Sequence, residues 1–517
     1  MTGASNLATI IEARAAERGD APGLFDENGR SWTFAQIDLL AGGVAESLRA
    51  KGVGAGDRIA FYLTNGPDVV FFLFGAWKIG AIPVTISSLY NASELADAVH
   101  KTSPRMLLVD ARGAEAARSV GADTALPILS IDASVAGVET LAWGQEARVS
   151  GPAVADEAEA CILFTGGTTG RPKAVSVTHG GTFGSLARLA QASSRSAEQG
   201  TAAPDAAPNL IALPLFHSGG QHALLFAFYV GRPAVVWERF GVDRLAALME
   251  RFRFDNFFLL PTMVFDIVHA ERELPFDDVK SVLVAGQAIS WTLRREFEER
   301  YRTPILVNYG STESGHIAGW TGRDMKAGLW KPGSAGRVYD GVELEVRADD
   351  GSVVADGGEG EIVVRSELTR GYVDDAEASA ELIRDGWVHT GDVGHVDEDG
   401  VLWLSGRKRD MIKCGGFQVW PEEIEDVLRE HPAVVDARVL GVPDDRLGEI
   451  PVAVIVRSPE GASRPDDDVR AELVAFSRER LAHFKTPRRV EFVDELERSE
   501  AGKVKRVAIA GLSGGDA

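Results

Sequence analysis

Residues 164–175, FTGGTTGRPKAV, bring together what a polyphosphate asks of a protein. Glycines let backbone N–H groups approach an anion closely, threonine hydroxyls add donors, and Lys173 adds positive charge. The apolar run ACILF in front of the loop reads as a buried strand, so the loop opens at a strand end. Thr165, Gly166, Gly167, Thr168, Thr169, Gly170 and Lys173 are therefore candidate phosphate contacts. The spacing is not that of a Walker A loop, because no Gly-Lys-Ser/Thr closes it. A glycine-rich turn alone would read as a flexible surface turn. The repeated threonines, the strand before them and Arg-Pro-Lys after them favour the anion.

Positive charge at such a loop has to be gathered locally, because the chain is acidic. Its 517 residues carry a formal charge of −22, which disfavours nucleic acid and anionic membrane as general partners. Apolar residues make up 45% and charged residues 25%, the balance of a globular protein, and the length implies more than one structural unit. Cys161 and Cys414 are the only cysteines, which excludes a disulfide framework. The first residues have no basic segment followed by an apolar run, so no signal peptide is expected and a cytoplasmic location is. The most apolar stretches, 69–85 and 223–237, are interrupted by Lys78 and by Gly231-Arg232-Pro233, so no membrane span is expected.

The elements that must position the loop alternate between helix and strand. Residues 34–50 have helical apolar spacing, 58–63 read as a strand, 67–79 as helix and 81–87 as strand. Apolar runs at 106–110, 127–131, 210–215, 257–261, 281–286 and 304–310 extend the pattern. This predicts α/β layering with largely parallel sheets, in which ligands gather beyond the carboxyl ends of the strands. After about residue 335, strands at 342–347, 361–365 and 401–405 joined by Asp/Gly turns predict a β-rich unit. A helix at 421–431, strands at 434–441, 451–457 and 489–493 and a helix at 466–482 predict a small α+β domain. The expected division is a large N-terminal domain of layered α/β sheets over 1–408, with a β-rich subdomain over 335–408, and a small mobile domain over 409–517.

With these motifs in order, the chain resembles the adenylate-forming superfamily of acyl-CoA synthetases, peptide-synthetase adenylation domains and luciferases, over residues 6–507. The resemblance implies roles for further segments. In NYGSTES, Asn308, Tyr309 and Gly310 lie at the adenine, Thr312 contacts the α-phosphate and Glu313 helps to hold Mg²⁺. In WVHTGDVG, Asp392 accepts from the ribose hydroxyls, and Arg407 in GRKRD is a second ribose or phosphate contact. Gly286, Gln287 and Ala288 correspond to a loop that packs on adenine, although relatives more often have Gly-Gly or Gly-Ala there. Gly415 and Gly416 belong to a segment that forms a passage for a pantetheine arm. Lys503 is the catalytic lysine, with Lys505 as its neighbouring decoy. Arg409 falls at the hinge between the domains, where relatives usually have Asp or Lys. Gly166 replaces a common Ser and Ala174 a common Gly, and neither change removes a charge.

The implied activity is ATP-dependent activation of a carboxylic acid through an acyl-adenylate, with Mg²⁺, followed by acyl transfer to coenzyme A. A carboxylate attacking an anionic phosphate needs electrostatic stabilisation more than a base, which fits Lys503, Lys173 and the threonine loop. The segment LPLFHSGG places His217 beside the acyl site, either as a gate or as a packing residue. Met263, Val264, Phe265, Gly315, His316 and Ile317 are expected to line the cavity, which predicts an apolar aromatic, alicyclic or medium-chain acid. Two other functions share part of this signature. A CoA-independent ligase that transfers the acyl group to an amine would use the same adenylation residues. A non-catalytic nucleotide-binding sensor would have no use for Lys503. Members of this superfamily are often homodimers, and no interface is legible in the sequence.

Overall fold

The computed structural model describes residues 6–123, 126–132, 135–165, 172–193, 206–355, 357–415, 417–444 and 446–496. Gly166, Gly167, Thr168, Thr169, Gly170, Gly416 and Lys503 lie outside the described residues.

Two large sheets dominate, and both are parallel at one side and antiparallel at the other. In one, Ile82–Thr85, Arg58–Tyr62, Met106–Val109 and Ile128–Ser130 pair in parallel, and Glu159–Thr165 joins beside Ile82–Thr85. That strand then pairs antiparallel with Lys173–Thr178, which pairs antiparallel with Thr369–Tyr372. In the other, Asn256–Leu259, Ser281–Val284 and Ile305–Ser311 are parallel, and the sheet continues antiparallel through Gly315–Gly319. The strands of 335–408 form no sheet of their own. Those at 336–338, 344–347, 360–364, 387–396 and 401–407 extend this second sheet, while Thr369–Tyr372 crosses to the first. The segment therefore fastens the two sheets together.

Apolar helices cover the sheets. Phe34–Ala50 starts at Thr33, whose hydroxyl accepts the Gln36 N–H while the Gln36 side chain accepts the Thr33 N–H, a capping box that satisfies two helix-end donors. Its buried face meets the helix Pro67–Trp77, apolar except for Asp68 in its first turn. Lys78, which interrupts that run in the sequence, is fully buried between Glu12 and Asp38 at 3.0 and 2.7 Å. A charge placed there survives burial because it is paired.

A third sheet, of four strands, joins Pro22–Asp26 to Ala234–Val236. The smaller C-terminal domain has a five-stranded sheet built on the Val434–Asp444 and Gly448–Arg457 hairpin. Helices Pro421–Arg429 and Asp466–Arg480 pack on it through Ile424, Leu428, Val469 and Leu473. It meets the large domain at Gly406, where an added Cβ would lie 2.8 Å from Glu422 Oε2 and 2.9 Å from the Trp420 ring. No described helix is long and apolar enough to cross a membrane.

Candidate active site

Seven strands and two helices carry the residues in question: β1 (Glu159–Thr165), β2 (Lys173–Thr178), β3 (Ile305–Ser311), β4 (Gly315–Gly319), β5 (Thr369–Tyr372), β6 (Trp387–Val396) and β7 (Val401–Arg407), with α1 (His179–Ala192) and α2 (Ser218–Tyr229). The β3–β4 hairpin is the centre. Its register shifts between Tyr309 and Gly310, and a Cβ on Gly310 would lie 2.0 Å from the Gly315 carbonyl oxygen. Only glycine permits that approach, which turns Ser311-Thr312-Glu313 out at the end of the sheet.

On one side of the hairpin Tyr309 donates its hydroxyl to Asp392 Oδ2 at 2.6 Å, and Arg407 Nε lies 2.6 Å from Asp392 Oδ1. Asp392 and Arg407 are directly opposite each other in the β6–β7 pairing. Burial, with the Asp392 carboxylate beside it, holds the Tyr309 phenol well above its ordinary pKa, so it stays a neutral donor. A carboxylate can accept about four hydrogen bonds, so these two donors orient Asp392 without exhausting it.

At the tip of the hairpin Thr312 Oγ1 is 2.8 Å from Ser218 Oγ, the first residue of α2. Glu313 Oε1 accepts from the Tyr372 hydroxyl at 3.0 Å, and Lys173 Nζ lies 4.6 Å from the centre of the Tyr372 ring. Tyr372 on β5 thus joins the candidate metal-binding carboxylate to the candidate phosphate-binding lysine. Thr165 and Lys173 are paired across β1 and β2, so the two ends of the threonine-rich loop are fixed side by side. No cluster of three metal-ligating side chains occurs among the described residues. A single carboxylate suits Mg²⁺, which keeps several waters and takes further oxygens from substrate phosphate.

The candidate acyl residues divide into a polar and an apolar set. His217 precedes α2 with its ring 4.6 Å from that of Phe216. His316 Nδ1 is 2.7 Å from Asn308 Oδ1, and the Asn308 amide donates to the Tyr339 hydroxyl at 2.6 Å. His222 stands edge-on to His316, with ring centres 5.4 Å apart. The more apolar candidates are engaged in packing. Met263 and Val264 are buried in the core with Leu259 and Ile267, Ile317 is buried with Ala318 and Leu402, and Phe265 stacks on His269. Gly315 adopts φ +75°, and an added Cβ would lie 3.2 Å from Ser185 Oγ.

The remaining candidates are spread around this centre. Gly286, at φ +84°, begins the loop with Gln287 and Ala288 that follows Ser281–Val284. Gly415, at φ +60°, donates its N–H to the Leu447 carbonyl at 2.7 Å in the small domain. Arg409 Nε is 3.4 Å from Asp410 Oδ1, and its charge is felt by Arg407, Asp392 and Tyr372, which puts this hinge candidate near the Tyr309–Asp392 group. Ser218 and Tyr372 escape the sequence reading. Ser218 follows His217 directly, so a search for a hydroxyl beside the helix start would have found it. Tyr372 has no such local cue.

Comparison with known proteins gives a consistent kinship. The family described as AMP-binding enzyme matches residues 11–373, and the AMP-binding enzyme C-terminal domain matches residues 423–503. The chain is 31% identical over 507 residues to 4-coumarate–CoA ligase 3 of Oryza sativa subsp. japonica, covering 96% of this chain and 90% of that one. Among solved structures it is similar to an anthranilate CoA ligase in complex with anthranoyl-AMP, at 25% identity and a TM-score of 0.87 over 99% of this chain and 98% of that one. It is also similar to an amide bond synthetase of Marinactinospora thermotolerans, at 26% identity and a TM-score of 0.83 over 98% of this chain and 99% of that one.

Proposed function

This chain belongs to the AMP-binding enzyme family, and from that premise we propose that it is a cytoplasmic ligase that joins an organic acid to coenzyme A through an acyl-adenylate. The observation that carries the reading is the meeting of Tyr309–Asp392–Arg407 with Thr312 and with Glu313–Tyr372–Lys173 around one hairpin. These contacts support a ribose acceptor, an α-phosphate donor and a cation for the leaving phosphates gathered around that hairpin.

In the first half-reaction a carboxylate oxygen of the acid attacks the α-phosphorus of ATP, and pyrophosphate leaves with the electron pair of the broken P–O bond. A carboxylate is already ionised near neutral pH, so no general base is required. Asp392 and Tyr309 hold the nucleoside end. Thr312, fixed by Ser218, faces the α-phosphate, and Lys173 with residues 165–170 takes charge on the departing phosphates. Glu313 would hold Mg²⁺, whose contribution when bound is to neutralise phosphate charge. Lys503 bridges acid and α-phosphate in this step. In the second half-reaction the small domain turns at Arg409, and the Gly415–Gly416 segment admits the thiol arm of coenzyme A. Sulfur attacks the acyl carbon and AMP departs.

An amine acceptor in place of the thiol is the second reading, favoured by the likeness to the amide bond synthetase. A panel of aromatic, alicyclic and medium-chain acids, assayed for pyrophosphate and AMP with and without coenzyme A and with an amine added, separates the two. The ligase reading predicts an acyl-CoA product. Amide formation in the absence of coenzyme A, with no thioester in its presence, overturns it.

A further inference from the structure

The two elements that frame the acyl side run inward in step. Ser218 and Thr312 touch at 2.8 Å, and four residues further along α2 and β4 stand His222 and His316, with ring centres 5.4 Å apart. A helix rises about 1.5 Å per residue, so the imidazole pair lies roughly 6 Å deeper than the hydroxyl pair. Helix α1 faces this second level. Ser185 Oγ lies against Gly315, and the Arg188 charge acts on both imidazoles.

The proton positions at this level are fixed by neighbours. The His222 ring hydrogen-bonds the Ser218 carbonyl and its Nε2 has no partner, so Nδ1 carries the proton and Nε2 presents a lone pair. Asn308 gives its amide to Tyr339 and turns its oxygen toward His316 Nδ1, which places the proton there and leaves His316 Nε2 as an acceptor. Burial pushes the two imidazoles down to about 4 and about 3, so both rings are neutral near pH 7. Ser185 Oγ and Arg188 Nε are buried and without a hydrogen-bond partner among the described residues. Unpartnered donors and acceptors therefore gather where α1 packs on α2 and β4, an arrangement that buried polar groups rarely keep unless something satisfies them.

Resting on the ligase reading above, we infer that the acid activated by this chain carries a hydroxyl group at the end remote from its carboxylate, seated among Ser185, Arg188, His222 and His316. The hydroxyl donates to an imidazole Nε2 and accepts from Arg188 or Ser185. A second carboxylate would meet two imidazole lone pairs and the charge of Glu367, which already acts on Arg188, and an unsubstituted apolar end would leave the donors and acceptors unsatisfied.

The test is a set of matched acids: benzoic, phenylacetic, 3-phenylpropanoic, cyclohexanecarboxylic and octanoic acids, each with its hydroxylated and dicarboxylic counterparts, read by acid-dependent ATP–pyrophosphate exchange. A hydroxylated acid is expected to exceed its unsubstituted counterpart at least roughly tenfold in kcat/KM. In Arg188→Met and in Ser185→Ala that ratio is expected to fall toward one, mainly through KM, with Ser185→Ala serving if the arginine variant does not fold. Equal use of hydroxylated and unsubstituted acids, preference for a dicarboxylic acid, or an unchanged ratio in both folded variants overturns the inference and leaves the ligase reading standing. Exchange with no acid at all overturns both.

Discussion

The Tyr309 hydroxyl and the Asp392 carboxylate, 83 residues apart in the chain, are held at 2.6 Å, and Arg407 grips the other carboxylate oxygen at the same distance. Asp392 is thus fixed from two sides before any ligand arrives, which is what a ribose acceptor needs to act without reorganising. Asp392→Asn removes the charge but keeps the shape. It is expected to raise the KM for ATP by roughly ten- to a hundredfold, the size of a hydrogen bond to a charged group. Pyrophosphate exchange at varied ATP measures this, and an unchanged KM would remove Asp392 from the nucleotide site.

Tyr372 touches both Glu313 and Lys173. Tyr372→Phe removes the hydroxyl bond and keeps the ring beneath the ammonium group. The expected outcome is a few-fold higher Mg²⁺ concentration for half-maximal rate with little change in the KM for ATP. Tyr372→Leu is expected to raise both. Magnesium titrations of the two variants distinguish a bridge from a simple packing residue, which would move both quantities equally in both variants.

Lys503 is assigned to the first half-reaction alone. Lys503→Ala is expected to abolish acid-dependent pyrophosphate exchange while sparing most of the thiol transfer from preformed acyl-adenylate. Single-turnover assays of the two steps read the difference, and equal loss of both contradicts a two-conformation cycle.

Stability carries a pH signature. His179 is buried with Nδ1 accepting the Leu7 N–H at 3.1 Å, and burial lowers its pKa to about 4, as it does for His222. An imidazole in the unfolded chain titrates near 6.5, so the unfolded state takes up these protons first. The contribution is complete above that pH, declines as the pH falls, and is exhausted near pH 4. The slope is about 1.4 kcal/mol per pH unit per histidine. Denaturant unfolding of His179→Gln is expected to show a shallower decline between pH 6.5 and pH 4.

Lys78 is fully buried between Glu12 and Asp38 and also donates to the Val149 carbonyl at 2.5 Å. Lys78→Met strands two carboxylates and is expected to cost about 3 kcal/mol of stability. A denaturant midpoint within error of the parent protein would mean that water reaches the pair.

What was legible in the sequence follows from where each signal is stored. Phe34–Ala50 declares itself through its apolar period and Pro421–Arg429 through its opening proline and acidic first turn, and the structure places both within two residues of expectation. The apolar run at 210–215 gives only the short strand Asn209–Leu210, followed by one further ladder bond from the Ile211 N–H to the Val235 carbonyl, and Pro214 has no N–H with which to extend it. The glycines at 391 and 394 concealed that Trp387–Val396 is a ten-residue strand. Tyr309, Asp392 and Glu313 were legible through their motifs. Their partners Ser218 and Tyr372 were not, because contacts between distant segments leave no local pattern. His222 and Arg188, which stand beside His316, left no local pattern for the same reason: they sit in apolar-looking helices, and only the packing of α1 against α2 and β4 brings them together.

The central claim is that the acid attacks the α-phosphorus. Incubation of the protein with Mg²⁺, ATP, labelled pyrophosphate and a responsive acid tests it directly. The account predicts acid-dependent entry of label into ATP and release of AMP once coenzyme A is added. Release of ADP and inorganic phosphate, or label exchange that ignores the acid, would contradict it.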